Sequence, residues 1–405
     1  MNMKLLFHIY WGVGIFLTPL FIKITDQPVS PRFSRDQLFC ALIALSVILF
    51  GFFKPLAQAN KHFLIYVMII LPLAFLNRAY FNSIEYCHQL ICFLAGLVLI
   101  AQLLCNLDFE YKNIIKNALI ATCLAQSAVV IIGHYFNIDL YREIILGSSK
   151  TIYFKGSYAA AFGTEGNPNS TGGLLAMTAP FLLKVPYLLP IGLVATGLTS
   201  TMPVLSLLTG TIAIIWIKVF KCRFKIPVFI LGSGSFLAAC YYSHKGVPYL
   251  NDSGRFNSWK NTLTFFKNND YAFKSEGYWI LSDIYNYLYP YYYKIKYYVF
   301  GRGLGFFSDF YYRVFGGEAK MRQVHNEFLE YSLAFGLIGV IAALWFFWSQ
   351  RKKIIEGDRL FLYSFLVSLA NSFGNFPYHI ASTSLVGIMS LSMILKGKEG
   401  ETCGA

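Results

Sequence analysis

Apolar runs of helical length, separated by short polar segments carrying most of the charge, make up nearly the whole chain. A helix needs about 20 apolar residues to cross roughly 30 Å of hydrocarbon, and shorter spans survive inside a bundle. On that rule the pattern predicts twelve spans, at 5–22, 38–53, 63–76, 86–105, 115–136, 170–183, 187–199, 203–217, 226–243, 326–348, 360–373 and 379–395. The expected fold class is all-α: a polytopic transmembrane bundle of about 12 helices. Residues 1–165 would hold the first five helices and an outer loop, 166–243 helices six to nine, 244–325 a long loop, and 326–405 the last three helices with a cytoplasmic tail.

The long loop is rich in aromatic residues. Phe256, Trp259, Leu263 and Phe266 follow an Asp252 or Ser253 cap at helical spacing, with Lys260 and Lys267 between them, which predicts a helix lying in the membrane interface. The stretch Tyr278 to Phe300, with Trp279 and the run Tyr291, Tyr292, Tyr293, adds a second aromatic belt suited to the headgroup level or to stacking on sugar faces.

Composition agrees with lipid as the solvent: of 405 residues, 56% are hydrophobic and only 13% charged, where a soluble domain carries about 25% charged residues. The net charge of +14 would suit nucleic acid if it lay along one face, but it lies in clusters between apolar runs, so no nucleic-acid partner is expected. Those clusters orient the chain. With the N-terminus inside, 16 of the 34 Lys and Arg fall on inner segments, 7 on short outer loops and 11 in the long loop, which exceeds the length over which the positive-inside rule counts charge. The chain is thus expected in a bacterial inner membrane with both termini cytoplasmic and the long loop periplasmic or extracellular. The opening run reads as the first helix rather than a cleaved signal, because no small-residue cleavage site precedes Lys23.

Candidate chemistry gathers on the outer side. His325 stands at the mouth of the tenth span, where it is either a general base for a hydroxyl nucleophile or a helix-capping interfacial residue. Glu327 and Glu330, three apart, either orient that imidazole or face water. Arg255 in SGRFNSW and Arg142, Lys150 and Lys155 of the preceding outer loop supply cations that suit a lipid-linked diphosphate. GRGLGFF, with Arg302 among Gly301, Gly303 and Gly305, lacks the strand and helix of a nucleotide loop, though its turn could aim backbone N–H groups and Arg302 at a phosphate. In FGTEGNPNSTGG, Asn167, Pro168 and Asn169 form a turn that starts a helix, and Gly172 and Gly173 permit close packing. The eight scattered cysteines have no ligand spacing and read as small buried hydrophobes. Asp108 and Glu110, beside Lys112 and Lys116, read as solvated inner surface rather than a metal site.

Taken together and in order, FGTEGNPNSTGGLLAM, SGRFNSW, GRGLGFF and VHNEFLEYSLAFGLIG resemble the O-antigen ligase and O-antigen polymerase superfamily, C-type membrane glycosyltransferases, over roughly residues 160–350. The resemblance implies an undecaprenyl-diphosphate-linked glycan as donor, with glycan, lipid A core or protein as acceptor, and neither cofactor nor metal. It implies Arg255 on the donor diphosphate and His325 as the base, with inversion at the anomeric carbon. Many members carry a Ser-Arg pair at the outer end of a mid-chain span. Here the matching stretch is TSTMPVLS, with Ser200 and Thr201 but no arginine, so Arg302, Arg142 or Arg78 is expected to supply that charge, or donor binding differs. Ligase, polymerase and protein O-oligosaccharyltransferase share these motifs. A flippase or transporter of lipid-linked sugar is the rival of another class, disfavoured because ion coupling usually needs ionisable groups in mid-membrane.

Overall fold

The computed structural model describes residues 2–20, 31–76, 84–136, 168–218, 259, 296–304, 326–375 and 377–397. Among them the regular structure is helical, with no strand. The α-helices are α1 Met3–Leu20, α2 Pro31–Phe50, α3 Leu56–Leu76, α4 Ile84–Asn106, α5 Lys112–Phe136, α6 Pro168–Thr178, α7 Leu189–Thr199, α8 Thr201–Lys218, α9 Glu327–Ser349, α10 Arg351–Glu356, α11 Arg359–Asn371 and α12 Ala381–Lys396.

Among the described residues five helical stretches are long and apolar enough to cross a membrane: Met3–Leu20, Leu56–Phe75, Cys87–Asn106, Phe109–Phe136 and Glu327–Ser349; α2, α7, α8, α11 and α12 are shorter and apolar. Large side chains that water would penalise stand exposed on them, Ile48, Met68, Leu344 and Trp348 among others, as expected where lipid is the solvent. The chain is an all-α membrane protein. The predicted span at 226–243 and most of the long loop lie outside the described residues; of the loop's predicted helix only Trp259 is described, helical and buried. The predicted span at 170–183 is an eleven-residue α-helix continued by a 3-10 helix over Ala179–Lys184. The change comes at Pro180, which has no N–H to donate to the preceding turn.

The chain divides into two compact units. The first comprises residues 1–60, 95–239 and 351–405. In it, α1 buries Phe7, Trp11 and Ile15 at successive turns, and Gly12 lets α5 come so near that a Cβ would meet Ile114 at 3.3 Å. Helix α12 is buried along its entire length, its serine, threonine and lysine residues included. Gly210 of α8 lies against the backbone of Val367 on α11, an approach that no larger residue allows.

Polar anchors lie where α4 turns into α5. Asp108 accepts a hydrogen bond from Lys4 Nζ at 2.8 Å and caps the 3-10 turn Phe109–Tyr111 by accepting from Glu110 N. The Asp108 amide donates to His8 Nε2 at 3.1 Å, so the proton sits on Nδ1, which donates to the Lys4 carbonyl at 2.6 Å. Asp108 is thus a partly exposed residue, as expected, that also fastens the N-terminal helix. The Lys4 hydrogen bond, reinforced by the Glu110 amide and the charge of Lys4, holds its carboxyl below the ordinary value. Lys116, counted among the inner-segment cations, is buried and pairs with Asp358 at 2.5 Å, while Asp358 caps α11 by accepting from Leu360 N. Of the described cysteines, Cys105 and Cys123 are buried as expected. Cys87 is exposed and Cys40 and Cys92 are half-buried.

The second unit comprises residues 61–94 and 240–350. Helices α3 and α9 meet through aromatic rings: Phe63 and Tyr66 lie 5.9 and 5.5 Å from Phe346, and Phe93 of α4 lies 5.2 Å from Phe335. Tyr66 donates to the Tyr331 hydroxyl at 2.9 Å, and Tyr331 donates onward to the Gly339 carbonyl at 3.3 Å.

Candidate functional site

Five of the predicted site residues, His325, Arg255, Arg142, Arg78 and Asn167, lie outside the described residues. The others, Arg302, Glu327 and Asn169, fall in two places, one in each unit.

In the second unit α9 is a broken helix. Gly336 has φ 61° and ψ −163°, a backbone region open essentially to glycine alone, so the hydrogen-bond ladder is interrupted there. The carbonyls freed by the break are filled from the GRG segment: Arg302 N–H donates to Leu333 O at 2.7 Å and Gly303 N–H to Ala334 O at 3.0 Å. Gly301 and Gly303 have φ of 80° and 91°, and a Cβ on Gly301 would overlap the Ala334 carbonyl. The glycines of GRGLGFF therefore serve a close backbone approach to α9. The Arg302 and Gly303 amides are held by helix carbonyls, which corrects the reading of this turn as a phosphate cradle built from N–H groups. The Arg302 side chain is buried, its guanidinium 5.0 Å from the centre of the Tyr297 ring.

The start of α9 answers the question of its cap. Asn326 fills that position, its Oδ1 accepting from Leu329 N at 3.0 Å, so the helix does not need a histidine there. Glu327 and Glu330 both lie in the first turn, where the helix dipole favours negative charge; Glu327 is half-buried and Glu330 buried.

In the first unit, Asn169 is the second residue of α6. Gly172 brings α6 onto Thr199 and Pro203, the two ends of the TSTMP segment between α7 and α8. Opposite runs a polar stripe on α11 and the turn after it: Ser364, Ser368, Asn371 and Asn375, spaced 4, 3 and 4 apart so that they share one helical face. Ser364 Oγ donates to Met177 O at 2.7 Å, and Asn375 Nδ2 donates to Asn169 O at 3.2 Å. Ser368 and Tyr378 share a hydrogen bond of 2.6 Å. Asn371 lies between these points, against the bare Cα of Gly173, and is fully buried. Sequence reasoning passed over this stripe, although SxxxSxxNxxxN is visible in SFLVSLANSFGN once it is read at helical spacing.

No family model and no curated protein sequence matches this chain.

Proposed function

We propose that the chain is a membrane glycan transferase acting at the outer face of a bacterial inner membrane, using an undecaprenyl-diphosphate-linked glycan and no metal or nucleotide. One observation carries the reading. The segments singled out by resemblance meet pairwise within each unit: NPNSTGG against TSTMP through Gly172, and GRG against SLAFG through Arg302, Gly303 and Gly336. In each unit two segments about 30 residues apart in sequence are joined in space, and this supports reading them as ordered motifs rather than loose likenesses.

In the reaction, His325 takes the proton of an acceptor hydroxyl as its oxygen attacks the anomeric carbon, and the bond from that carbon to the diphosphate oxygen breaks with inversion. Arg255, supported by Arg302, Arg142 or Arg78, neutralises the charge developing on the departing lipid diphosphate. Asn167, Asn169 and Glu327 are the neutral and acidic contacts to the glycan. With Asn326 capping α9, His325 is not required as the cap.

A broken spanning helix is also a transporter feature, and it supports the flippase as a second reading. The carbonyls of Leu333 and Ala334 are already bonded to Arg302 and Gly303, which leaves them poor groups to line a pathway. Purified protein incubated with lipid-linked glycan and candidate acceptors separates the readings. Chain growth or transfer is expected, and His325→Ala should slow it about 100-fold to 10,000-fold with expression near normal. Transbilayer movement of the lipid without new glycosidic bonds would reject the transferase, and full activity of His325→Ala would remove the proton-transfer role.

A further inference from the structure

Asn371 is fully buried in an apolar bundle, and neither its Nδ2 nor its Oδ1 has a hydrogen-bond partner among the described residues. Asn375 is 1% exposed; its Nδ2 is aimed at the first turn of α6 through Asn169 O, and its Oδ1 has no partner among the described residues. A carboxamide cut off from both water and protein partners is strongly unfavourable, so one such amide at Asn371 and a half-satisfied one at Asn375 on the same helical face point to a ligand rather than packing. Packing alone would be served better by leucine, which has nearly the same shape.

The chemistry of the free atoms narrows the ligand. A phosphate offers only acceptors and would leave both Oδ1 atoms unsatisfied. A cation would leave the Nδ2 donors of Asn371 unsatisfied. A hydroxyl both donates and accepts, and vicinal hydroxyls can satisfy both residues together. Gly173 leaves the side of Asn371 facing α6 without a side chain. Entry requires movement of the turn after α11, which includes two long backbone hydrogen bonds, Phe373 N–H to Ala370 O and Gly374 N–H to Asn371 O, both 3.3 Å.

We infer that Asn371 and Asn375 form a subsite for the neutral hydroxyls of a saccharide, at the end of the first unit where α6 begins. The identity of the hydroxyl-bearing group rests on the glycan-transfer reading; the donor and acceptor pattern does not. Recognition here is by neutral hydrogen bonds and is separate from the cationic groups assigned to the diphosphate.

The test uses the full-length protein in detergent, with thermal melting and tryptophan fluorescence as readouts. Glucose, galactose, mannose and N-acetylglucosamine are titrated, with inorganic pyrophosphate in parallel. At least one saccharide should raise the wild-type melting temperature by about 2 °C or more at saturation. Asn371→Leu should melt at or above wild type without ligand and bind that saccharide at least tenfold more weakly. Asn371→Ala, which crowds nothing, should lose binding in the same way and keeps the test open if the leucine variant does not fold. Wild-type binding in either variant, no response to any saccharide, or a response to pyrophosphate alone would overturn the subsite. A water that merely satisfies the amides predicts the second of these results. Because no transfer is measured, saccharide binding without transferase activity would reject the reaction while keeping the subsite, and transfer without this binding would do the reverse.

Discussion

Gly336→Ala tests whether the break in α9 and the GRG segment form one structural device. A Cβ at residue 336 would overlap Gly301 N and stand 2.7 Å from Val299 O and 2.8 Å from Phe300 C, and these backbone atoms cannot swing aside as a side chain can. The conformation itself, φ 61° and ψ −163°, costs a non-glycine residue about 1–3 kcal/mol. Pushing the GRG segment away strips the Leu333 and Ala334 carbonyls of Arg302 N–H and Gly303 N–H, at about 1–3 kcal/mol for each buried group left without a partner. The lower ends of these ranges already give about 3 kcal/mol, or roughly 3–4 °C in melting temperature for a chain of 405 residues. Gly197→Ala is the control, because nothing lies within 4 Å of its Cβ position; alanine's better helix propensity should leave stability unchanged or raise it by about 0.5–1 kcal/mol. Both variants are purified in detergent and melted side by side. If Gly336→Ala melts within 1 °C of wild type, α9 tolerates a continuous ladder at that point and the stitching by Arg302 and Gly303 is not what holds the segment.

Three further outcomes follow from the ion pairs and the orientation. Lys116→Met leaves the half-buried Asp358 without its partner and should cost about 1–3 kcal/mol, with much of the loss recovered when Asp358→Asn is added, measured by thermal melting. Asp108 has its carboxyl held below the ordinary value chiefly by Lys4, so its contribution is complete above the unfolded carboxylate pKa of about 3.9 and is lost as pH falls through the lower folded value. That contribution is small for a pair this exposed, under about 1 kcal/mol, and Asp108→Asn should remove its share of the difference in melting between pH 7 and pH 3. In whole cells a maleimide probe should label Ser275→Cys from outside and leave Lys352→Cys protected, and the opposite pattern would reject both the orientation and an outer site.

The helices were largely legible in the sequence because lipid imposes a one-dimensional rule: about 20 apolar residues make a span, whatever packs around them. The predicted spans at 5–22, 86–105, 115–136 and 326–348 correspond to long apolar helices. Fine structure was not legible in the same way. A hydropathy window cannot register that Pro180 turns the end of α6 into a 3-10 helix, or that Gly336 interrupts α9, because both residues sit among apolar neighbours and leave the average unchanged. Charges misled for a related reason. Lys116 was counted with the inner polar segments because charged residues usually lie in water, yet it is buried on Asp358, and the partly exposed Asp108 also holds Lys4. Their partners are separated from them by 242 and 104 residues, beyond any local pattern.

The site shows the same limit from the other direction. The glycine-rich GRGLGFF turn attracted notice as a possible phosphate loop while Gly172 was expected to pack closely, and the structure uses Gly172, Gly301 and Gly336 alike for close helix and backbone contacts. Serine and asparagine in α11 attracted none, because Ser364, Ser368 and Asn371 are diluted within RLFLYSFLVSLAN, a helix that still scores as apolar. Yet a helix in lipid can hide its backbone polarity but not that of its side chains, and each side-chain amide or hydroxyl must find a partner across the interface. Applied along the stripe, the rule accounts for Ser364 through Met177, Ser368 through Tyr378 and one end of Asn375 through Asn169. It leaves Asn371 and the Asn375 oxygen, the two that lie nearest the start of α6. Neutral polar residues at helical spacing are therefore the more informative signal in such a chain: a glycine can be explained by packing alone, whereas a buried amide cannot.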